Sequence, residues 1–120
     1  MLIAVVDDEK SVRSSLARLL RSAGYEAVTF PSGEEFLDAL DSVLPDCLIL
    51  DLRMPGLGGF EVLSRLANRS RHVPVVMLTS FPSAESRKQA LREGVSAFLE
   101  KPAERSVLLQ ALDAATSART

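Results

Sequence analysis

The stretch Asp46-Cys47-Leu48-Ile49-Leu50, running into Asp51-Leu52-Arg53-Met54-Pro55, decides the fold. Four successive apolar residues with no polar alternation describe a strand buried on both faces, which is how the central strands of a parallel sheet read. Leu2–Val6 and Val73–Leu78 have the same character. Glu26-Ala27-Val28-Thr29-Phe30 is mixed, like an edge strand, and Ala97–Glu100 supplies a fifth. Between these runs lie helical patterns, so strand and helix alternate five times. That repeat predicts an α/β domain whose parallel sheet is covered by helices.

The helices carry their own punctuation. Val12, Leu16, Leu19, Leu20 and Ala23 recur at helical spacing, and Gly24 stands where a left-handed C-cap is wanted. Ser32-Gly33-Glu34-Glu35 is a capping-box pattern, followed by Phe36, Leu37, Leu40 and Val43 on an inner face and by Pro45 as a stop. Phe60, Leu63, Leu66 and Ala67 mark a third helix, and Leu108, Ala111, Leu112 and Ala115 a fifth. The fourth, Ala84 to Glu93, has only Ala84, Ala90 and Leu91 as apolar residues, so it is expected to be loosely held.

A length of 120 residues fits one domain, taken as residues 1–120, with only Ser117–Thr120 resembling a linker. A net charge of −2, with cations scattered among acids, argues against nucleic acid as this domain's own partner. No apolar run approaches the length of a bilayer span, and only Met1 precedes the first strand, so a cytoplasmic location with no membrane contact is expected. The single Cys47 sits in an apolar run, where a buried, inert thiol is expected.

In an open parallel sheet, ligands bind beyond the carboxyl ends of the strands. After the first strand come Asp7, Asp8 and Glu9, after the third Asp51, after the fourth Thr79 and Ser80, and after the fifth Lys101 and Pro102. Carboxylates gathered on one edge raise one another's pKa, so cations must accompany them. The oxygen donors suit Mg²⁺, and Lys101 supplies a second positive charge. Each residue alone has a plainer reading, with Asp7-Asp8 as an N-cap pair, Thr79-Ser80 as a turn and Lys101-Pro102 as a solvated loop. Their joint placement, one chemically matched group after each of four strands, outweighs those readings.

The motifs Val5-Val6-Asp7-Asp8-Glu9, Asp51-Leu52-Arg53-Met54-Pro55 closing on Gly59, Leu78-Thr79-Ser80, Gly94, and Phe98-Leu99-Glu100-Lys101-Pro102 together resemble the receiver domains of two-component response regulators. The resemblance spans essentially the whole chain. It implies a (βα)5 flavodoxin-like, doubly wound sheet in the order 2-1-3-4-5. It implies a phosphorylation-dependent signalling switch, with Asp51 taking a phosphoryl group from a sensor histidine kinase or phosphotransfer protein. Mg²⁺ would be held by Asp8 and Asp51 directly, by Asp7 largely through water, and by the main-chain carbonyl of Arg53. Lys101 would neutralise charge, Thr79 would be the switch hydroxyl, Ser80 would leave room for the phosphoryl group, and Phe98 would be the aromatic that follows Thr79. The Lys101–Pro102 peptide would be cis. The switch would act through helix four, strand five and helix five, with a phosphorylation-dependent homodimer and a DNA-binding output domain outside this chain as its expected consequences.

Gly56 and Gly58 depart from the family's more polar loop and point to mobility there. Phe81 and Arg53, bulky residues two places past Thr79 and Asp51, stand where the family tunes the phosphoryl lifetime. Two rival readings remain. A haloacid-dehalogenase-like phosphatase also uses a strand-terminal Asp, but it needs a second Asp where this chain has Arg53. A phosphate-independent pseudo-receiver normally lacks some of the acids, the Thr or the Lys, all of which are present here.

Overall fold

The computed structural model describes residues 1–69 and 72–117; of the linker-like stretch Ser117–Thr120, Ser117 is the last residue of a helix and the rest lies outside the described residues. In chain order the elements are β1 (Leu2–Val6), α1 (Lys10–Ser22), β2 (Glu26–Phe30), α2 (Gly33–Ala39), β3 (Cys47–Asp51), α3 (Gly59–Ala67), β4 (Val75–Thr79), α4 (Ala84–Arg92), β5 (Ala97–Glu100) and α5 (Arg105–Ser117). All strand pairs are parallel, in the order β2-β1-β3-β4-β5. This is the doubly wound α/β architecture expected.

Continuous apolar strands are explained by cover on both faces, since successive side chains point to opposite sides. Ala4, Val6, Leu48, Leu50 and Met77 face Phe36 and Leu37 of α2 and Val62 and Leu66 of α3. Their neighbours Ile3, Val5, Cys47, Ile49 and Leu78 face Leu20 of α1 and Leu108 and Leu112 of α5. Cys47 is fully buried, as expected. No helix among the described residues is long and apolar enough to cross a membrane.

Elements β3, β4 and α2 have bounds other than those read from the sequence. Strand β3 begins at Cys47, because Asp46 is occupied ahead of it: its N–H donates to the Leu2 carbonyl and its carboxylate accepts from the Leu2 N–H, both at 2.8 Å. The strand therefore runs one residue further and takes in Asp51, paired with Leu78. Strand β4 starts at Val75 rather than Val73, since Pro74 has no N–H for the ladder. Helix α2 stops at Ala39, where the Ala39 carbonyl accepts from both Ser42 and Val43 and closes the chain into a turn. Leu40 remains buried beyond it, while Val43 is only half-buried.

Helix α1 ends as its sequence predicts. Gly24 takes φ +93°, and the Gly24 and Tyr25 N–H groups return to the carbonyls of Arg21 and Leu20 at 3.1 and 3.0 Å. The loop after β3, which carries Gly56 and Gly58, has three ties: Leu57 N–H to Glu34, Gly58 N–H to Glu61, and Gly59 N–H to the Leu52 carbonyl at 2.9 Å.

Helix α4 is the weakly anchored element. Ala90 is its only buried residue, and Leu91 is 53% exposed. With so little apolar area removed from water, α4 belongs to the low-stability end of the molecule. Amide exchange followed by NMR is expected to show protection in Arg87–Arg92 at least roughly tenfold below that of Leu16–Leu20 in α1. Equal protection in the two helices would contradict this account of α4.

Candidate functional site

Because the five strands are parallel, their carboxyl ends lie on one edge, and the residues just past them converge there. Asp51 is the last residue of β3 and Thr79 the last of β4. Asp7 and Asp8 come directly after β1, and Lys101 after β5. Lys101 Nζ donates to Asp7 Oδ2 at 2.6 Å and lies 3.2 Å from Asp51 Oδ1. Asp7, Asp51 and Thr79 are all buried, whereas Asp8 is exposed.

The charges do not balance. Asp51 is pushed up from 3.8 to about 6, first by burial and then by the Asp7 charge. The Lys101 charge and hydrogen bond, with the Arg53 main-chain N–H, pull it back but fall short. Burial alone would lower Lys101, yet its hydrogen bond to Asp7 and the charges of Asp51 and Asp7 outweigh that, leaving it above its ordinary value. Two buried carboxylates thus share one ammonium, and the site is short of positive charge.

The donor set fits a hard divalent cation. One carboxylate oxygen from each of Asp7, Asp8 and Asp51 lies within 4.8 Å of the others, an all-oxygen group of the kind Mg²⁺ takes. The three are not equivalent. Asp7 has both oxygens engaged, by the Glu9 N–H at 2.9 Å and by Lys101, while Asp8 presents its carboxylate to solvent. Gly59 fits this crowded corner through its missing side chain: a Cβ there would sit 2.8 Å from the Asp51 carbonyl oxygen and 2.9 Å from Leu52 Cα.

Around this cluster stand the remaining predicted residues. The Thr79 hydroxyl accepts the Phe81 N–H at 3.1 Å, and its carbonyl accepts the Lys101 N–H at 2.8 Å. Ser80 is exposed at the mouth, and Phe98 is turned inward with 3% of its surface exposed. The Lys101–Pro102 peptide is cis. Glu9 contributes its backbone N–H to Asp7 and is not among the clustered acids. Three contacts escaped the sequence reading. Arg13 donates to the Asp7 carbonyl at 2.8 Å, the Arg53 guanidinium lies 5.2 Å from the Phe81 ring centroid, and Arg87 lies 5.1 Å from that of Phe98. Only Arg87 had a usable signal, since it is three residues before Ala90 and so shares the inner face of α4.

Comparison with known proteins places this geometry. The family profile described as "Response regulator receiver domain" matches residues 3–113. The transcriptional regulatory protein TdiR of Thauera aromatica is 39% identical over 113 residues, covering 94% of this chain and 50% of the relative. FixJ of Bradyrhizobium diazoefficiens is 36% identical over 113 residues, covering 94% and 55%. A response regulator receiver protein from Burkholderia phymatum has a solved structure that superimposes with a TM-score of 0.85 at 43% identity, covering 97% of this chain and 94% of that one. The chain spans about half the length of the two curated relatives.

The raised Asp51 pKa has a sign that can be tested. The folded state holds a proton on Asp51 that the unfolded state has already released, so in metal-free buffer stability falls as pH rises from about 4 through about 6. A shift of this size corresponds to on the order of 2–3 kcal/mol. Asp51→Asn removes the unbalanced charge, and its melting temperature near neutral pH should exceed that of the parent by several degrees, with the gap closing near pH 4. An Asn variant no more stable at neutral pH would contradict this electrostatic picture.

Proposed function

The chain belongs to the response-regulator receiver family, and from that membership we propose that Asp51 is its phosphoryl acceptor. The observation that carries the reading is the Lys101 ammonium, 2.6 Å from Asp7 and 3.2 Å from Asp51 inside a cluster of three carboxylates. A carboxylate oxygen of Asp51 attacks phosphorus in a phosphohistidine of a sensor histidine kinase or phosphotransfer protein. The new O–P bond forms as the N–P bond breaks, and that bond's electron pair stays on the imidazole.

Such a transfer needs alignment and charge neutralisation more than acid–base chemistry. Lys101 lies beside the attacking carboxylate and offsets the charge of the transferring oxygens. Mg²⁺, when bound, supplies the further positive charge that the site lacks; Asp8, Asp51 and the Arg53 main-chain carbonyl would hold it directly and Asp7 through water. The contrast between an engaged Asp7 and an open Asp8 supports that division of roles. The Thr79 hydroxyl donates a hydrogen bond to the phosphoryl oxygens, Ser80 leaves room for them, and Phe98 follows Thr79.

The signal passes to the face made by α4, β5 and α5, where Leu91 and Val107 are exposed apolar residues suited to a phosphorylation-dependent homodimer. In the cytoplasm, that face would govern a DNA-binding output domain beyond these residues, as the relatives' description as transcriptional regulatory proteins would have it. This domain itself would bind neither nucleic acid nor membrane.

Incubation with Mg²⁺ and acetyl phosphate, followed by intact mass measurement, should add one phosphoryl group. Asp51→Asn should add none, and Lys101→Ala should slow labelling by roughly 10²-fold. Label that persists in Asp51→Asn, or a parent protein that takes up none, would overturn the assignment in favour of a phosphate-independent module.

A further inference from the structure

Strand β2 forms one edge of the sheet, and its main chain is paired on one side only. The Glu26 N–H donates to the Met1 carbonyl at 2.9 Å, and the Phe30 carbonyl accepts the Asp7 N–H at 3.2 Å, so Glu26, Val28 and Phe30 bond toward β1. Main-chain groups alternate in direction along a strand, which turns those of Ala27 and Thr29 away from the sheet. Arg21 Nη2 reaches the Ala27 carbonyl at 3.3 Å and blunts that end of the edge. Among the described residues no side chain does the same at Thr29, whose N–H and C=O are left to an incoming strand.

Beside this edge runs a flank of α1. The helix carries Lys10, Arg13, Arg18 and Arg21 and no acid. Lys10, Ser14 and Arg21 follow one another down one side, and with Arg18 and Thr29 they line an open groove along β2. Lys10, Arg18 and Arg21 are exposed, while Arg13 is half-buried and turned onto the Asp7 carbonyl. None of the four takes part in an ion pair among the described residues. The opposite face of the strand has another character. Val28 and Phe30 pack into the apolar cluster there, and α2, on that face, brings Glu34, Glu35 and Asp38 with no base.

We propose that the free edge of β2 and the basic groove of α1 form a docking site for an extended acidic segment of a partner protein, one in which acidic and apolar residues alternate. The segment adds a strand to the sheet, and its main chain bonds the Thr29 N–H and C=O. Side chains of an added strand point alternately to the two faces. Carboxylates on one face meet Lys10, Arg18 and Arg21, and apolar groups on the other continue the row of Val28 and Phe30. An acid on that second face would meet the acids of α2, so the alternation, and not bulk negative charge, is what the site selects.

The test adds a fluorescent peptide, Glu-Val-Glu-Thr-Glu-Val-Glu, to the full chain and follows anisotropy and amide NMR. The peptide should shift amides of Ala27–Phe30 and Lys10–Arg21 and bind at least roughly tenfold more tightly than its Lys-for-Glu counterpart. Lys10→Ala combined with Arg18→Ala should weaken it roughly threefold to thirtyfold, as expected for two exposed charges, and Lys88→Ala on α4 should leave it unchanged. Thr29→Pro removes an N–H that the sheet does not use, so the protein should still fold and lose the peptide. Should that variant not fold, two peptides N-methylated at alternate residues replace it: the one whose blocked edge faces β2 should fail to bind. The proposal is overturned by no saturable binding at about 1 mM peptide, by shifts that leave β2 and α1 untouched, or by binding indifferent to Thr29→Pro and to both methylated peptides. A single-stranded oligothymidylate that displaces the peptide and binds more tightly also overturns it, making the basic flank a nucleic-acid face instead.

Discussion

One ammonium group, Lys101 Nζ, sits 2.6 Å from Asp7 and 3.2 Å from Asp51, and much of the molecule serves to put it there. Both carboxylates are buried, so leaving either unpaired would cost several kcal/mol. Their oxygens come from β1 and β3, neighbours at the centre of the sheet, while the ammonium comes from beyond β5 at its edge. Only a parallel sheet whose strands end together brings these three chain positions into contact. The pairing is nevertheless incomplete: a single ammonium cannot satisfy two buried acids and an exposed third, and Asp51 is left high, at about 6. A stable fold with a residual demand for positive charge is a suitable place to receive a cation and an anionic group together.

Much of this was legible in the sequence, for reasons that differ by residue. Strands β1, β2 and β5 begin and end where the residue pattern predicts, because Asp7, Gly24 and Pro102 punctuate them chemically. Strands β3 and β4 are displaced toward their carboxyl ends, since Asp46 spends its hydrogen bonds on Leu2 and Pro74 has none to give. The displacement matters, because it makes Asp51 and Thr79 the last rungs of a ladder and not the first residues of loops. Asp7, Asp8, Asp51, Thr79 and Lys101 could be found by asking which side chains stand at or just past the carboxyl end of each strand. The inward rotamer of Phe98 and the stacking of Arg53 on Phe81 could not, since contacts between separate loops leave no periodic trace. Arg87 was hidden for another reason: reading α4 by its apolar residues alone overlooks a cation that takes the place of one.

The same weakness of α4 connects the site to its surface. Ala90 and the Arg87 contact on Phe98 are what α4 sets against the core, and Phe98 lies on the ladder that ends at Thr79. A small change at the Thr79 hydroxyl, which now accepts the Phe81 N–H, thus meets an element whose position depends on few contacts. Packed cores respond to such changes by moving between discrete arrangements. The well-anchored helices α1, α3 and α5 would keep the acidic corner fixed while α4 shifts.

The most direct test of the central claim is a crystal structure of the chain with Mg²⁺ and beryllofluoride. The account predicts beryllium bonded to an Asp51 carboxylate oxygen, Lys101 turned onto a fluorine, the metal between Asp8 and Asp51, and the Thr79 hydroxyl released from the Phe81 N–H to meet the fluoride. Beryllofluoride on another residue, or an Asp51 adduct with Lys101 on Asp7 and on no fluorine and with Thr79 unmoved, would contradict it.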